Sequence, residues 1–144
     1  MVEQDTVKLL RECDAGARMG ISSIDDVLNY VKAPGLKQSL ADSKSEHEAL
    51  EREIKSELHR YHDAGKEPNL MAKGMSQAKT NLKLAMNESD ATIAGLMTDG
   101  CGMGVKSLNK YLNQYRAADE TSKDIAKRLI ALEDRLAVEI RRYL

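Results

Sequence analysis

The chain has 144 residues and a net charge of −1, with 31% charged and 42% hydrophobic residues, two prolines, and neither Trp nor Phe. A chain of this length fits one domain with a real core, and an alphabet of Leu, Ile, Ala and Met with few breakers points to an all-α fold. Interspersed charges and the lack of an aromatic platform exclude a broad nucleic-acid surface; no apolar run approaches the ~18 residues of a membrane span, and the start MVEQDTVKLL lacks a basic-then-apolar leader, so a cytoplasmic protein is expected.

The first predicted helix covers about 5–32. Its seam, Val7, Leu10, Asp14, Ala17, Ile21, Ile24, Leu28 and Val31, alternates steps of three and four as an inward stripe requires. KAPG ends it, because Pro34 disfavours α geometry at Ala33, and a second helix over about 34–63 starts there. The short link makes the two antiparallel neighbours. The second seam is Leu36, Leu40, Ser43, His47, Leu50, Ile54, Leu58 and Tyr61, so His47 points inward; Gly65 and Pro68 follow as stop signals. A weaker stripe of Met71, Met75, Ala78, Leu82 and Met86 predicts a shorter helix over about 69–86.

The next helix is expected over about 89–116, capped by Asn87 or Ser89, with Ile93, Leu96, Met97, Gly100, Met103, Gly104, Leu108, Tyr111 and Tyr115 inward. The last, over about 120–143, turns Ile125, Leu129, Leu132, Leu136, Ile140 and Tyr143 inward. Four such helices, each roughly 40 Å long, match in length. Some 25 residues separate the second from the third, where about two would close a hairpin, so the whole chain reads as a single four-helix bundle with a long crossover that carries the shorter helix.

In this organisation, and in a partial motif, the chain resembles the ferritin-like superfamily. The resemblance implies an antiparallel bundle with a Glu on each of two helices and Glu-x-x-His on each of the other two, gathered around two iron ions. Residues at i and i+3 share a helix face, which explains that spacing. The second helix offers Lys44-Ser45-Glu46-His47, with an ammonium where the bridging carboxylate belongs; the last offers Glu133-Asp134-Arg135-Leu136, with a leucine where the imidazole belongs. The two half-motifs fail at opposite ends, so a di-iron centre is not expected and a non-enzymatic protein is. Inward candidates reduce to Asp14, His47 and Glu133, with Asp99 beside Gly100 a weaker fourth. Three such ligands could hold one Zn or Fe ion. The preferred reading keeps His47 as a core histidine, bonded to Asp14 or to a tyrosine hydroxyl.

Gly16 and Gly20 on the first helix, and Gly100 and Gly104 on the third, each cost about 1 kcal/mol against alanine. Close packing of these two helices at the glycines is the expected compensation; a ligand pocket lined by Met19, Met97 and Met103 is the competing one. TDGCGMGVKS is not a phosphate loop, since Val105 separates Gly104 from Lys106 and no strand precedes it. Cys13 and Cys101 form no CxxC pair and are expected at one level of the core, reduced. The five tyrosines lie towards helix C-termini, where they can cap the core with wet hydroxyls. Function is expected to reside in assembly, as a dimer or larger homo-oligomer, or in a protein partner, for which the methionines of the crossover helix offer an adaptable surface.

Overall fold

The computed structural model describes residues 2–63, 65 and 89–144. The expected crossover helix, with Met71, Met75 and Met86, lies outside the described residues. Within them the protein is all-helical: α1 (Val2–Leu28), α2 (Pro34–Arg60), α3 (Asp90–Gln114), α4 (Glu120–Ile140) and a closing 3-10 turn, Arg141–Tyr143.

Local chemistry fixes the helix starts. Ala33 is extended (φ −69°, ψ 123°) and Pro34 opens α2, where its missing N–H is no loss. Ser89 caps α3 by accepting from the Thr92 N–H, and Asp119 caps α4 by accepting from the Ser122 N–H at 2.8 Å. Helix α1 stops at Leu28, short of the expected 32, because the following backbone is held by another helix. The Lys32 and Ala33 N–H groups both donate to the Asp90 carboxylate, at 2.9 Å each. Asp90 thus ties the α1–α2 link to the first turn of α3.

At the opposite end, Asp5 and the Thr6 hydroxyl accept from the backbone N–H groups of Ala117 and Asp119 in the α3–α4 link, and the Tyr61 hydroxyl donates to Asp119. The four helices therefore form a ring in which α1 adjoins α2 and α3, and α4 adjoins the same two. Adjacent helices run antiparallel. Ion pairs mark the register: Asp25, Arg18 and Asp14 meet Lys44, Glu51 and Lys55 in descending against ascending order, as Glu46 and Glu53 meet Arg135 and Arg128.

The core divides into two apolar clusters. One holds Leu9, Leu10, Cys13, Ala17, Leu50, Ile54, Leu58, Leu108, Ile125 and Leu129; the other holds Ile24, Val27, Leu36, Leu40, Ile93, Met97, Cys101, Leu136 and Ile140. Helix α2 buries the predicted stripe from Leu36 to Leu58 in full. Helix α3 does not: Ala94 and Cys101 are buried, while Gly100 and Met103 face outward, Met103 with 71% of its surface exposed. The expected mid-bundle pocket lined by Met19, Met97 and Met103 is therefore not formed. Cys13 and Cys101 sit in different clusters, not at one level. Among the described residues no helix is long and apolar enough to cross a membrane.

Asp90→Ala removes a charged acceptor of two backbone N–H groups and a favourable first-turn charge, and is expected to destabilise the fold by about 2 kcal/mol in urea titration.

Candidate functional site: a buried histidine–glutamate pair

Between the two apolar clusters lies one polar layer to which every helix contributes. From α2 comes His47, 1% exposed, and one turn before it Ser43. Helix α4 supplies Glu133, 9% exposed, whose Oε1 stands 2.6 Å from His47 Nε2. Helix α3 supplies Cys101, a buried thiol whose pKa is raised by burial and then by nearby Glu133, and Gly104. Helix α1 supplies Gly20.

The sequence places His47 inward because 40, 43, 47, 50 and 54 share one face of α2. Its tautomer follows from the backbone. Nδ1 lies 2.7 Å from the Ser43 carbonyl, which can only accept, so Nδ1 carries a proton. One further proton then sits between Nε2 and Glu133 Oε1. Burial opposes the charged imidazole, but the hydrogen bond and charge of Glu133, the Ser43 carbonyl and the charge of Glu46 outweigh it and hold the His47 pKa above its ordinary value. The raised pKa favours the protonated imidazole, in which both ring nitrogens donate, Nδ1 to the Ser43 carbonyl and Nε2 to Glu133.

Gly20 clears volume for this pair. A Cβ on Gly20 would stand 2.8 Å from His47 Cδ2 and 2.9 Å from Nε2, and one on Gly104 would meet Glu133 at 3.6 Å. The predicted role of the glycines in close packing of the first and third long helices is corrected here: Gly20 makes room for the His47 ring, Gly16 and Gly104 leave only ordinary contact distances to Leu129 and Glu133, and Gly100 faces open space. Gly20 thus exchanges helix propensity for room beside His47.

Asp14 does not join the layer. It is fully buried, but against Arg18 Nε at 3.5 Å and Lys55 Nζ at 4.0 Å. Lys55 is eight residues beyond His47 on α2, which puts Asp14 roughly 12 Å away along the axis. Gly65, with φ +91°, lies directly over the Asp14 carboxylate, where a side chain could not fit. The expected His47–Asp14 bond is replaced by His47–Glu133. The expected trio of Asp14, His47 and Glu133 is not assembled, and among the described residues no group of three or more His, Cys, Asp or Glu side chains is placed to hold a metal ion. Asp99 is exposed.

The donor set does not fit two irons. His47 Nε2, the atom that would ligate, is engaged by Glu133; Lys44 turns away to Asp25 at 2.6 Å; Leu136 is buried in an apolar cluster. Nor are the thiols activated. Burial, then Glu12 and Asp14, push Cys13 up to about 12, and burial, then Glu133, pushes Cys101 higher still. Chemically, the layer can hold one proton tightly between two side chains out of contact with bulk water. The spacing of Ser43 and His47 on one face was readable in the sequence, whereas the parts played by Gly20, Cys101 and Gly104 required the register of the helices.

Removing one partner leaves the other charge buried, so Glu133→Ala is expected to cost about 3–5 kcal/mol, whereas the double variant His47→Leu/Glu133→Leu should be near neutral or stabilising in the same urea titration. The raised His47 pKa also gives a pH signature. The folded state binds the proton more tightly, so the stabilisation is fully present below about pH 6.5 and is lost as pH rises through the folded pKa. Relative to the double leucine variant, wild-type stability should fall with pH above that value, with a slope of up to about 1.4 kcal/mol per pH unit; equal pH profiles would show that the pair is not charged. Compared with protein-family models, with curated proteins and with solved structures, the chain matches none.

Proposed function

We propose that the chain is a ferritin-like bundle that works without a di-iron centre and acts through assembly or protein binding, not through catalysis. The observation that carries this reading is the mutual engagement of His47 and Glu133: the two surviving elements of the broken motifs bond each other at 2.6 Å. Both ring nitrogens are engaged within the protein, Nδ1 by the Ser43 carbonyl and Nε2 by Glu133, which leaves neither directed at a metal.

The ferritin-like topology, with a long crossover between α2 and α3, is supported by where those helices end and begin. Tyr61, just past α2, meets Asp119 at one end of the bundle, and Asp90, opening α3, meets Lys32 and Ala33 at the other. The intervening chain must join opposite ends, as in bundles that carry one crossover.

The test is elemental analysis of protein prepared without chelator, paired with thermal melts in added Zn²⁺ or Fe²⁺. Metal far below one ion per chain and an unmoved melting temperature are expected. Stoichiometric metal, or a rise in melting temperature that His47→Ala abolishes, would replace this reading with a mononuclear Zn or Fe protein, since a ligand at a hundred times its Kd adds about 2.7 kcal/mol to the folded state.

A further inference from the structure

We infer that the outer face of α3 is a self-complementary docking surface for a second, antiparallel copy of the same helix. The inference rests on the proposal that this protein acts through assembly, and names the surface and the partner.

The face runs through Gly95, Asp99, Gly102 and Lys106, at alternating steps of four and three, with Met103 and Lys110 beside it. It is directed away from Ile93, Met97, Cys101 and Leu108, which are buried in the bundle. A Cβ added at Gly95 or at Gly102 would meet no atom within 4 Å, so neither glycine is needed for packing within the bundle. In a helix interior both cost stability relative to alanine. Beside them Met103 exposes 71% of its surface, more than any other large hydrophobic residue described.

Charge supplies the independent argument, and it selects the occupant. Asp99 and Lys106 are exposed, two helical turns apart, and among the described residues neither has an ion pair or side-chain hydrogen bond. A two-fold axis crossing α3 between Gly102 and Met103 places Asp99 opposite the second copy's Lys106, and Lys106 opposite the second copy's Asp99. The same axis sets Met103 over the second copy's Gly102, a knob on a position with no side chain, and Lys110 opposite the second copy's Gly95. Every favourable contact then occurs twice, as an isologous interface demands. The glycines let the backbones approach, the methionine adapts to the surface it meets, and the charges fix antiparallel register.

The experiment is sedimentation velocity on the full chain at low salt, with Asp99→Lys and Lys106→Asp. Both positions are exposed, and unchanged thermal melts of the variants would show that they fold. The wild type should dimerise. Each single reversal sets like charges opposite at two points and should raise the dimer Kd about tenfold or more. An equimolar mixture of the two single variants should recover the dimer, because one chain then presents two lysines to two aspartates, and the double variant should recover it as well. Gly102→Cys should crosslink on oxidation in the wild-type background, where Cys13 and Cys101 are buried. A monomeric wild type, or a dimer that ignores the single reversals, overturns the inference. A dimer of the latter kind leaves the assembly reading intact, whereas stoichiometric metal would overturn that reading without altering how the reversals behave.

Discussion

A single hydrogen bond, from His47 Nε2 to Glu133 Oε1, organises the middle of this bundle. It joins α2 to α4, and it needs the space that Gly20 leaves on α1, where a Cβ would stand 2.8 Å from the His47 ring; Gly104 on α3 lies within ordinary contact of Glu133. The polar layer also explains why the core is two clusters instead of one: apolar side chains pack above and below it but not through it. A buried ion pair of this kind is a poor source of net stability, because desolvation of both charges offsets much of their attraction. What it supplies is a penalty for error. Sliding α4 by one turn against α2 would leave a buried carboxylate against leucine.

That penalty acts together with a second set of contacts on the rim. Along α1 and α2, three ion pairs keep one register over several turns, and along α2 and α4 two more do the same. Singly, exposed pairs such as Arg128–Glu53 contribute at most about 1 kcal/mol each, whereas Lys55 meets the buried Asp14 carboxylate. Their value lies in agreement: every pair is satisfied by the same axial alignment that brings His47 to Glu133. At the ends, Asp90 and Asp5 take backbone N–H groups from other segments, so the links are held by carboxylates.

How much of this could be read from the chain depended on whether a feature belonged to one helix or to several. The α2 stripe is regular and contains no small residues, and its inward face was legible down to Ser43 and His47. Helix α3 carries four glycines, which blur amphipathicity, since glycine is compatible with either face; Gly100 and Met103 were assigned inward where Ala94 and Cys101 belong. The candidate site failed differently. Asp14 and His47 were placed on inward seams and Glu133 was an inward candidate through the motif alone, and all three are buried. Periodicity gives the azimuth of a residue but not its height relative to a residue on another helix. The height follows from the α1–α2 link, where Ala33 and Pro34 set how far α2 starts from the end of α1, and this puts Asp14 level with Lys55 instead of His47.

The interior and the outer face of α3 pose one problem seen from two sides. Glycine at 20 lowers helix propensity, and the buried pair accounts for it. Glycines at 95 and 102 lower it equally, and nothing inside the bundle accounts for them. A helix that gives up propensity at Gly95 and Gly102, sets an exposed methionine beside them, and spaces Asp99 and Lys106 symmetrically about the Gly102–Met103 peptide presents the two-fold pattern on which the proposed docking rests. Within the polar layer His47 Nε2 and Glu133 Oε1 are engaged by each other. On the outer face of α3, Asp99, Gly102, Met103 and Lys106 combine spacing and charge in a pattern that specifies its own complement.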